Sequence, residues 1–469
     1  MKSIDLEKLN AKLFILFLPF RMPNGVRIVT QFIGMPAEFF CFIFHLVGLF
    51  FMVLYGSKNE EHSNFKHYKL ISTFGWMMVY FVFVAILMST YVYFEYGFYN
   101  GNSPYIGTIK LLVDFMQYLL IIIYCRRIFL ILGVRSVYQW LTISFRVIAT
   151  IGYLQIAKIY NFPIFSQISD FVSTLFSLRT FNNQIALTLY EPSWAAIYIG
   201  VIVLPMLLSR FFVGKKSVLS TVIEMLLWIP IIIMTKSTTC YLLTLAAFSV
   251  AIIFLLFNRK VGLGIKICVA LLSICGVLIV NTNLVDKVFG FDFSYLLRNK
   301  LFDNDNQSTV MRKLPLIGDW EIFKHFPIFG CGNGLQGYFY PLMIPTEYYK
   351  TALDNNGRAI IYGSATTIPN GQLFFPGILS GYGLIGIVLF VRYLLGNITY
   401  LKDNFSKFGQ FGYIYTLSLL PIFFAGMKSE FVGFYIIWFV LSIPYAAYDC
   451  EKINENEEYE RKVARVLYR

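Results

Sequence analysis

The feature that most constrains this chain is a succession of apolar blocks, each close to the roughly 20 residues that a helix needs to cross a bilayer. They run at 36–55, 69–94, 106–125, 136–158, 194–213, 218–235, 239–257, 262–280, 371–395, 411–427 and 430–448, which predicts eleven spans. With 57% hydrophobic and 14% charged residues, the composition excludes an ordinary soluble core. Residues 11–34 leave two readings open, because the apolar run from Leu13 to Phe20 is short and is followed by Arg21, Pro23, Gly25 and Arg27. They form either a twelfth, irregular span or an interfacial segment. No small-residue cleavage site follows the run, so no cleavable signal is expected.

The positive-inside rule orients these spans. Fifteen Lys and Arg lie in alternate loops around Lys58, Lys66 and Lys69; Arg126, Arg127 and Arg135; Arg210, Lys215 and Lys216; Arg259, Lys260 and Lys266; and Arg392, Lys402 and Lys407. The intervening short loops carry five, namely Lys110, Lys158, Arg179, Lys236 and Lys428. The first set is therefore assigned to the cytoplasm, together with the tail 449–469. The expected organisation is an N-terminal bundle over 1–280 with an outward segment at 159–193, an extracytoplasmic loop at 281–370, and a C-terminal group of spans over 371–448. The fold class is an all-α polytopic membrane protein of about 11–12 transmembrane helices, its large outward loop containing short helices.

The net charge of +13 follows from the cytoplasmic bias and does not signal nucleic-acid binding. Of the seven Cys only Cys331 falls in an outward loop, so no disulfide framework is expected. The four His, at 45, 62, 67 and 325, are scattered and Cys-poor, and no metal site is expected.

The outward segments hold the polar residues able to do chemistry. Ile164, Phe165, Ile168, Phe171, Val172, Leu175 and Phe176 recur at helical spacing, which predicts an amphipathic helix on the outer leaflet. Either it is simple interfacial packing or it shapes an entrance for a lipid-linked substrate. Glu191-Pro192-Ser193 stands at the mouth of the next span, with Pro192 suited to a first helical turn and Glu191 beside the positive end of the helix. Glu191 is a helix-start residue or a catalytic one.

In the long loop, Pro315 is expected to open a helix ending at Phe326-Pro327, which places Arg312 near its N-terminus as an anion site. The run Gly330-Cys331-Gly332-Asn333-Gly334 follows that helix break and lacks a P-loop ending, so a sharp structural turn is expected. Asp303-Asn304-Asp305 is read as a solvated turn rather than a metal site. Three charges fall inside spans, Asp114, Arg146 and Glu224. Each is costly in hydrocarbon, and the similar depths of Asp114 and Arg146 predict that these two pair.

Several of these residues occur in an order that resembles the bacterial O-antigen polymerases and the related O-antigen ligases. They are Arg179; Glu191-Pro192-Ser193; Thr235-Lys236-Ser237-Thr238; Arg312; His325-Phe326-Pro327-Ile328-Phe329-Gly330-Cys331-Gly332; and Gly383-Leu384-Ile385-Gly386. The resemblance covers roughly residues 170–400. It implies a glycosyltransferase of the inner membrane that acts on the periplasmic face, joins repeat units carried on undecaprenyl diphosphate and releases undecaprenyl diphosphate. It implies no cofactor, with Arg and Lys stabilising the diphosphate in place of a metal. Its partners would be the lipid-linked oligosaccharide, membrane lipid and a chain-length-regulating protein, which no motif here specifies.

Carried over residue by residue, Arg312 matches the family's loop arginine as a catalytic residue. Arg179 matches the arginine of the earlier polymerase loop, and Lys236 stands where the family usually has an arginine, giving charge without the bidentate fork; both are assigned to the diphosphate or glycan, and Asn370 is taken as a substrate-binding residue. Ligases of the family carry a His just before the span that follows the loop. This chain reads Ile368-Pro369-Asn370-Gly371-Gln372 there, which weighs toward polymerase. Glu191 is then the first candidate for the base, with Asp319, Glu321, Glu347 and Asp354 open as alternatives. His325 is read as a packing residue. Two other functions stay open, a ligase that transfers glycan to lipid A-core, and a lipid-linked oligosaccharide flippase. The absence of an internal repeat argues against the flippase.

Overall fold

The computed structural model describes residues 2–23, 39–55, 69–98, 103–176, 181, 183–213, 218–257, parts of 262–274, 307–332, 334–345, 374–427 and 434–447. Among these the chain is predominantly helical, with no strand beyond the isolated pairing of Arg21 and Phe39. The helices are α1 (Lys2–Leu16), α2 (Cys41–Tyr55), α3 (Lys69–Tyr96), α4 (Tyr105–Ile159), α5 (Pro163–Leu175), α6 (Pro192–Val213), α7 (Val218–Met234), α8 (Thr238–Phe257), α9 (Gln307–His325), α10 (Gln336–Met343), α11 (Phe374–Phe408), α12 (Gln410–Gly426) and α13 (Tyr435–Ala447).

Five of them, within α3, α4, α6, α8 and α11, are long and apolar enough to cross a membrane. Shorter apolar helices at Cys41–Leu54, Val218–Met234, Gln410–Gly426 and Tyr435–Ala446 coincide with further expected spans. The protein is an all-α multi-pass membrane protein. The span expected at 262–280 lies largely outside the described residues.

Three local expectations change. The spans expected at 106–125 and 136–158 are halves of one 55-residue helix, α4, interrupted only at Gly133, where φ is 75° and ψ 160°. What reads as a loop around Arg126 and Arg127 is helical, because Ile128, Phe129 and Leu132 between the arginines are buried in the bundle. Arg127 then reaches Glu7 of α1 at 3.0 Å. The ambiguous N-terminal stretch begins as a helix packed into the bundle, with Ala11, Phe14 and Ile15 buried. After Leu16 the chain turns, and Phe40 donates its amide to Phe20 at 2.8 Å.

The third change concerns the charges inside spans. Arg146 pairs with Glu224 of α7, and Arg210 of α6 pairs with the second oxygen of the same carboxylate. The expected pairing of Arg146 with Asp114 does not form. Depth alone misleads here, because the side of the helix decides the partner. Arg146 and Tyr153, two turns apart, both face α7, where the Tyr153 hydroxyl donates to the Leu227 carbonyl at 2.6 Å. Asp114 is buried on the other half of α4. Arg210 is buried and also donates to the Tyr138 hydroxyl at 2.8 Å. One carboxylate thus holds two guanidinium groups where three helices meet.

The amphipathic helix α5 forms where expected. Its apolar residues Ile164 and Phe171 are 72% and 69% exposed, while Ser169 is its buried residue. The apolar stripe therefore points away from the bundle, as a helix lying on a lipid leaflet requires. Lys158 at the end of α4 anchors it through Asp170.

Candidate functional site

The short segment 183–191 brings Glu191, Arg21 and the turn that holds Lys236 to one end of the bundle. That segment is tied to three elements at once. Ile185 donates its amide to Met234 at the end of α7 (3.0 Å), and Leu187 exchanges two hydrogen bonds with the Gln155 side chain of α4 (2.7 and 3.0 Å). Arg21 donates its amide to the Thr188 carbonyl (2.9 Å), while the Thr188 hydroxyl donates to the Pro19 carbonyl (2.6 Å). Glu191 at one end of this segment and the 234–238 turn are thereby fixed to a common frame.

Glu191 is extended, with φ −138° and ψ 153°, and Pro192 takes the first turn of α6. Its carboxylate accepts a hydrogen bond from Ser193 Oγ at 3.1 Å and makes no capping bond to the helix. Glu191 is thus the N-cap residue of α6 through its backbone, its carbonyl accepting the Trp194 and Ala195 amides (3.0 and 3.1 Å), while its carboxylate takes no part in capping. Lys236 sits in the left-handed region, φ 46°, inside the turn from α7 to α8. Thr235 shapes that turn, donating its hydroxyl to the Ile232 carbonyl (2.7 Å) and accepting from the Ser237 amide (3.4 Å). Partial burial lowers the Lys236 ammonium pKa from its usual range.

Sequence reading missed Arg21. Its guanidinium lies over the Tyr190 ring, 4.2 Å from the centroid, and the residue is buried. Trp194 packs beside it in an aromatic cluster with Phe39 and Phe434. The available signal was an arginine closing an apolar run, which reads from sequence as the end of a span.

Arg312 lies within α9, which begins at Gln307 and contains Pro315. The expectation of a helix opening at Pro315 with Arg312 at its N-terminus is therefore corrected, since Arg312 is in the second turn. A proline is tolerated at such a place when the carbonyl four residues before it finds another partner or water. Arg179 and Asn370 lie outside the described residues, as do Glu347, Asp354 and Asp303-Asn304-Asp305. Glu321 is taken up by Lys324 at 2.7 Å, and His325 is exposed with its Nδ1 bonding the Glu321 carbonyl at 2.9 Å, so the packing role expected for it is not seen.

The glycine run forms the sharp turn expected, and its purpose becomes visible in α11. That helix breaks at Gly383 (φ 63°, ψ −160°), which separates the Leu384 and Ile385 amides from the Ser380 and Gly381 carbonyls they would bond in a continuous helix. The loop supplies all four replacements. Cys331 and Gly332 donate amides to the Ser380 and Gly381 carbonyls (2.8 Å each), and Leu384 and Ile385 donate to the Pro327 and Ile328 carbonyls (2.8 and 3.3 Å). Gly330, Gly332 and Gly334 all have positive φ. A Cβ on Gly330 would lie 2.3 Å from the Gly381 backbone, and one on Gly334 would lie 2.7 Å from Gly107 at the start of α4. Close backbone approach selects glycine here.

Above this joint Asp319 of α9 is fully buried, which no sequence pattern indicated. Its Oδ1 accepts from Ser380 Oγ of α11 (2.8 Å) and from the Tyr340 hydroxyl of α10 (3.0 Å). Gln336 extends the network, donating toward Ser380 Oγ at 3.5 Å and accepting the Gly334 amide at 2.9 Å. Burial pushes the Asp319 carboxyl up to about 7, against the pull of its two hydroxyl donors.

No curated protein matches the chain by sequence. A family match does, from α7 through the broken helix α11, and it takes in Lys236, Arg312, the glycine turn and the Gly383 break. It leaves out Arg21 and Glu191. The family covers ligases and polymerases and implies an enzyme that transfers glycan. Residues 223–391 match the family described as O-Antigen ligase, consistent with a member of the O-antigen polymerase/ligase family.

Proposed function

We propose that this protein is a surface-polysaccharide polymerase of the O-antigen type, joining oligosaccharide repeat units carried on undecaprenyl diphosphate at the periplasmic face of the inner membrane. A hydroxyl of one lipid-linked repeat attacks the anomeric carbon of the growing glycan. The new glycosidic bond forms as the bond to the diphosphate breaks, and undecaprenyl diphosphate leaves. Glu191 takes the hydroxyl proton as general base. The departing charge is stabilised by Arg312, with Arg179 and Lys236 on the phosphates and Asn370 on the glycan. Arg21 adds a further cation on the same frame.

The observation that supports this reading is the segment 183–191, whose backbone bonds to Arg21 and to Met234 tie the segments bearing Glu191, Arg21 and Lys236 to one frame. The stretch Ile368–Gln372, which lacks His, favours polymerase over ligase.

The test is the surface glycan of a deletion strain. A strain lacking a polymerase attaches single repeat units to the surface lipid, and restoring the gene restores the ladder of chain lengths. A deletion strain with no attached repeat at all would point to a ligase or a flippase instead.

A further inference from the structure

We propose that Asp319 is a positioning residue for glycan joining, holding the helix that carries Arg312 against the broken membrane helix through the hydrogen bonds it accepts from Tyr340 and Ser380. This rests on the polymerase reading above. Arg312 and Asp319 lie on α9 about two turns apart, and Asp319 is where that helix meets both α10 and α11 through polar bonds. A shift of the Asp319 joint thus moves the helix that carries Arg312, with Pro315 lying between the two residues.

Both donors address Oδ1. Among the described residues Oδ2, which is buried, has no hydrogen-bond partner. A neutral acid fits this environment, because its proton sits on Oδ2 and its Oδ1 still accepts both hydroxyls. An ionised carboxylate would bury a charged oxygen with no donor. Among the described residues, the groups facing it are Tyr340 from α10, the Cys331 thiol from the glycine turn and the hydroxyl of Ser380 from α11. None of these is a cation, and burial pushes both the tyrosine and the thiol upward, so neither carries charge near neutrality. Ionisation of Asp319 is left uncompensated, and the joint is expected to loosen as pH rises past about 7. An extracytoplasmic site experiences that change directly.

The experiment measures turnover of a lipid-diphosphate-linked repeat unit by the purified full chain, from about pH 6 to about pH 8.5. The wild type is expected to lose kcat through the upper part of this range with KM little changed. Asp319→Asn keeps the accepting oxygen and cannot ionise; it is expected to retain kcat within about twofold at the acid end and to abolish the decline. Ser380→Ala and Tyr340→Phe, each removing one donor, are expected to lower kcat several-fold at every pH while Asp319→Asn does not.

The proposal is overturned if Asp319→Asn is inactive throughout, which would make the ionised carboxylate a general base. It is equally overturned if the decline persists in Asp319→Asn, or if both donor variants behave as wild type. A wild type that makes no polymer but passes glycan to a lipid A-core acceptor would sink the polymerase reading alone. The same pH comparison, read on that transfer, would still decide the role of Asp319.

Discussion

Replacing Gly330 by alanine tests whether the loop truly completes the broken helix. The new Cβ would lie 2.3 Å from both the Gly381 carbon and the Tyr382 nitrogen, which are backbone atoms that cannot rotate away. The residue would also hold a φ of 74°, which costs an L-residue about 1–2 kcal/mol. Relief of the clash must lift the turn from α11, and with it at least two of the four exchanged backbone hydrogen bonds, each contributing about 1 kcal/mol net. The expected loss is about 3–5 kcal/mol. Gly409 supplies the control, since its φ is 57° but nothing lies within 4 Å of its Cβ, leaving strain alone at about 1 kcal/mol. Thermal unfolding of the two purified variants in detergent measures the difference, and the glycan ladder of the complemented strain reports function. If Gly330→Ala and Gly409→Ala unfold at the same temperature, the loop is not holding the break and the argument from hydrogen-bond exchange is wrong.

Glu224→Gln leaves the buried Arg210 without its counter-ion and is expected to cost about 3 kcal/mol, seen as a lowered unfolding temperature and yield, whereas Asp114→Asn leaves the Arg146–Glu224 pair intact. For Asp319, the raised carboxyl means that the folded state binds one proton more than the unfolded state between about 3.8 and about 7. Its contribution is therefore present in full below the lower value and is lost as pH rises to the upper one. At 1.36 kcal/mol per pH unit the whole change is about 4 kcal/mol, so Asp319→Asn should flatten the pH dependence of the unfolding temperature across that window. Arg312→Ala, at wild-type protein level, should remove the ladder in a deletion strain and leave the single-repeat band; a full ladder would remove Arg312 from the site.

The spans were legible because a bilayer demands length and apolarity, which are properties of a local stretch. Most of the helices begin and end within a few residues of the expected blocks. The α4 break shows where this fails: Gly133 was visible, but whether the residues before it form a loop or a buried continuation depends on what packs against Ile128 and Phe129. The Arg146 partner was illegible for a related reason, since hydropathy fixes depth but not which side of a helix faces its neighbour. Of the site, the sequence marks Glu191, Lys236 and the glycine turn as unusual because each is a local exception to its surroundings. Asp319 and Arg21 are ordinary in sequence and acquire their character from contacts with Ser380, Tyr340 and Tyr190, which lie as many as 169 positions away along the chain.

The glycines at 330–334 and 383–386 carried much of the family resemblance, yet they supply no reactive group. Their need is geometric. Gly383 breaks a membrane helix, and Gly330 and Gly383 let the loop and the helix come close enough to repair the four bonds. In hydrocarbon a lone unpaired amide or carbonyl costs several kcal/mol, so a break near a membrane surface survives only with such a repair. Break and turn must therefore be kept or lost together, whatever sugar is joined. Under the proposed function, substrate choice is expected in side chains outside the joint, on 183–191, on the 234–238 turn and on the Arg312 turn of α9. Exchanging those side chains between relatives with the glycine joint left intact should move specificity, while exchanging the joint should move stability and turnover without changing which sugar is joined.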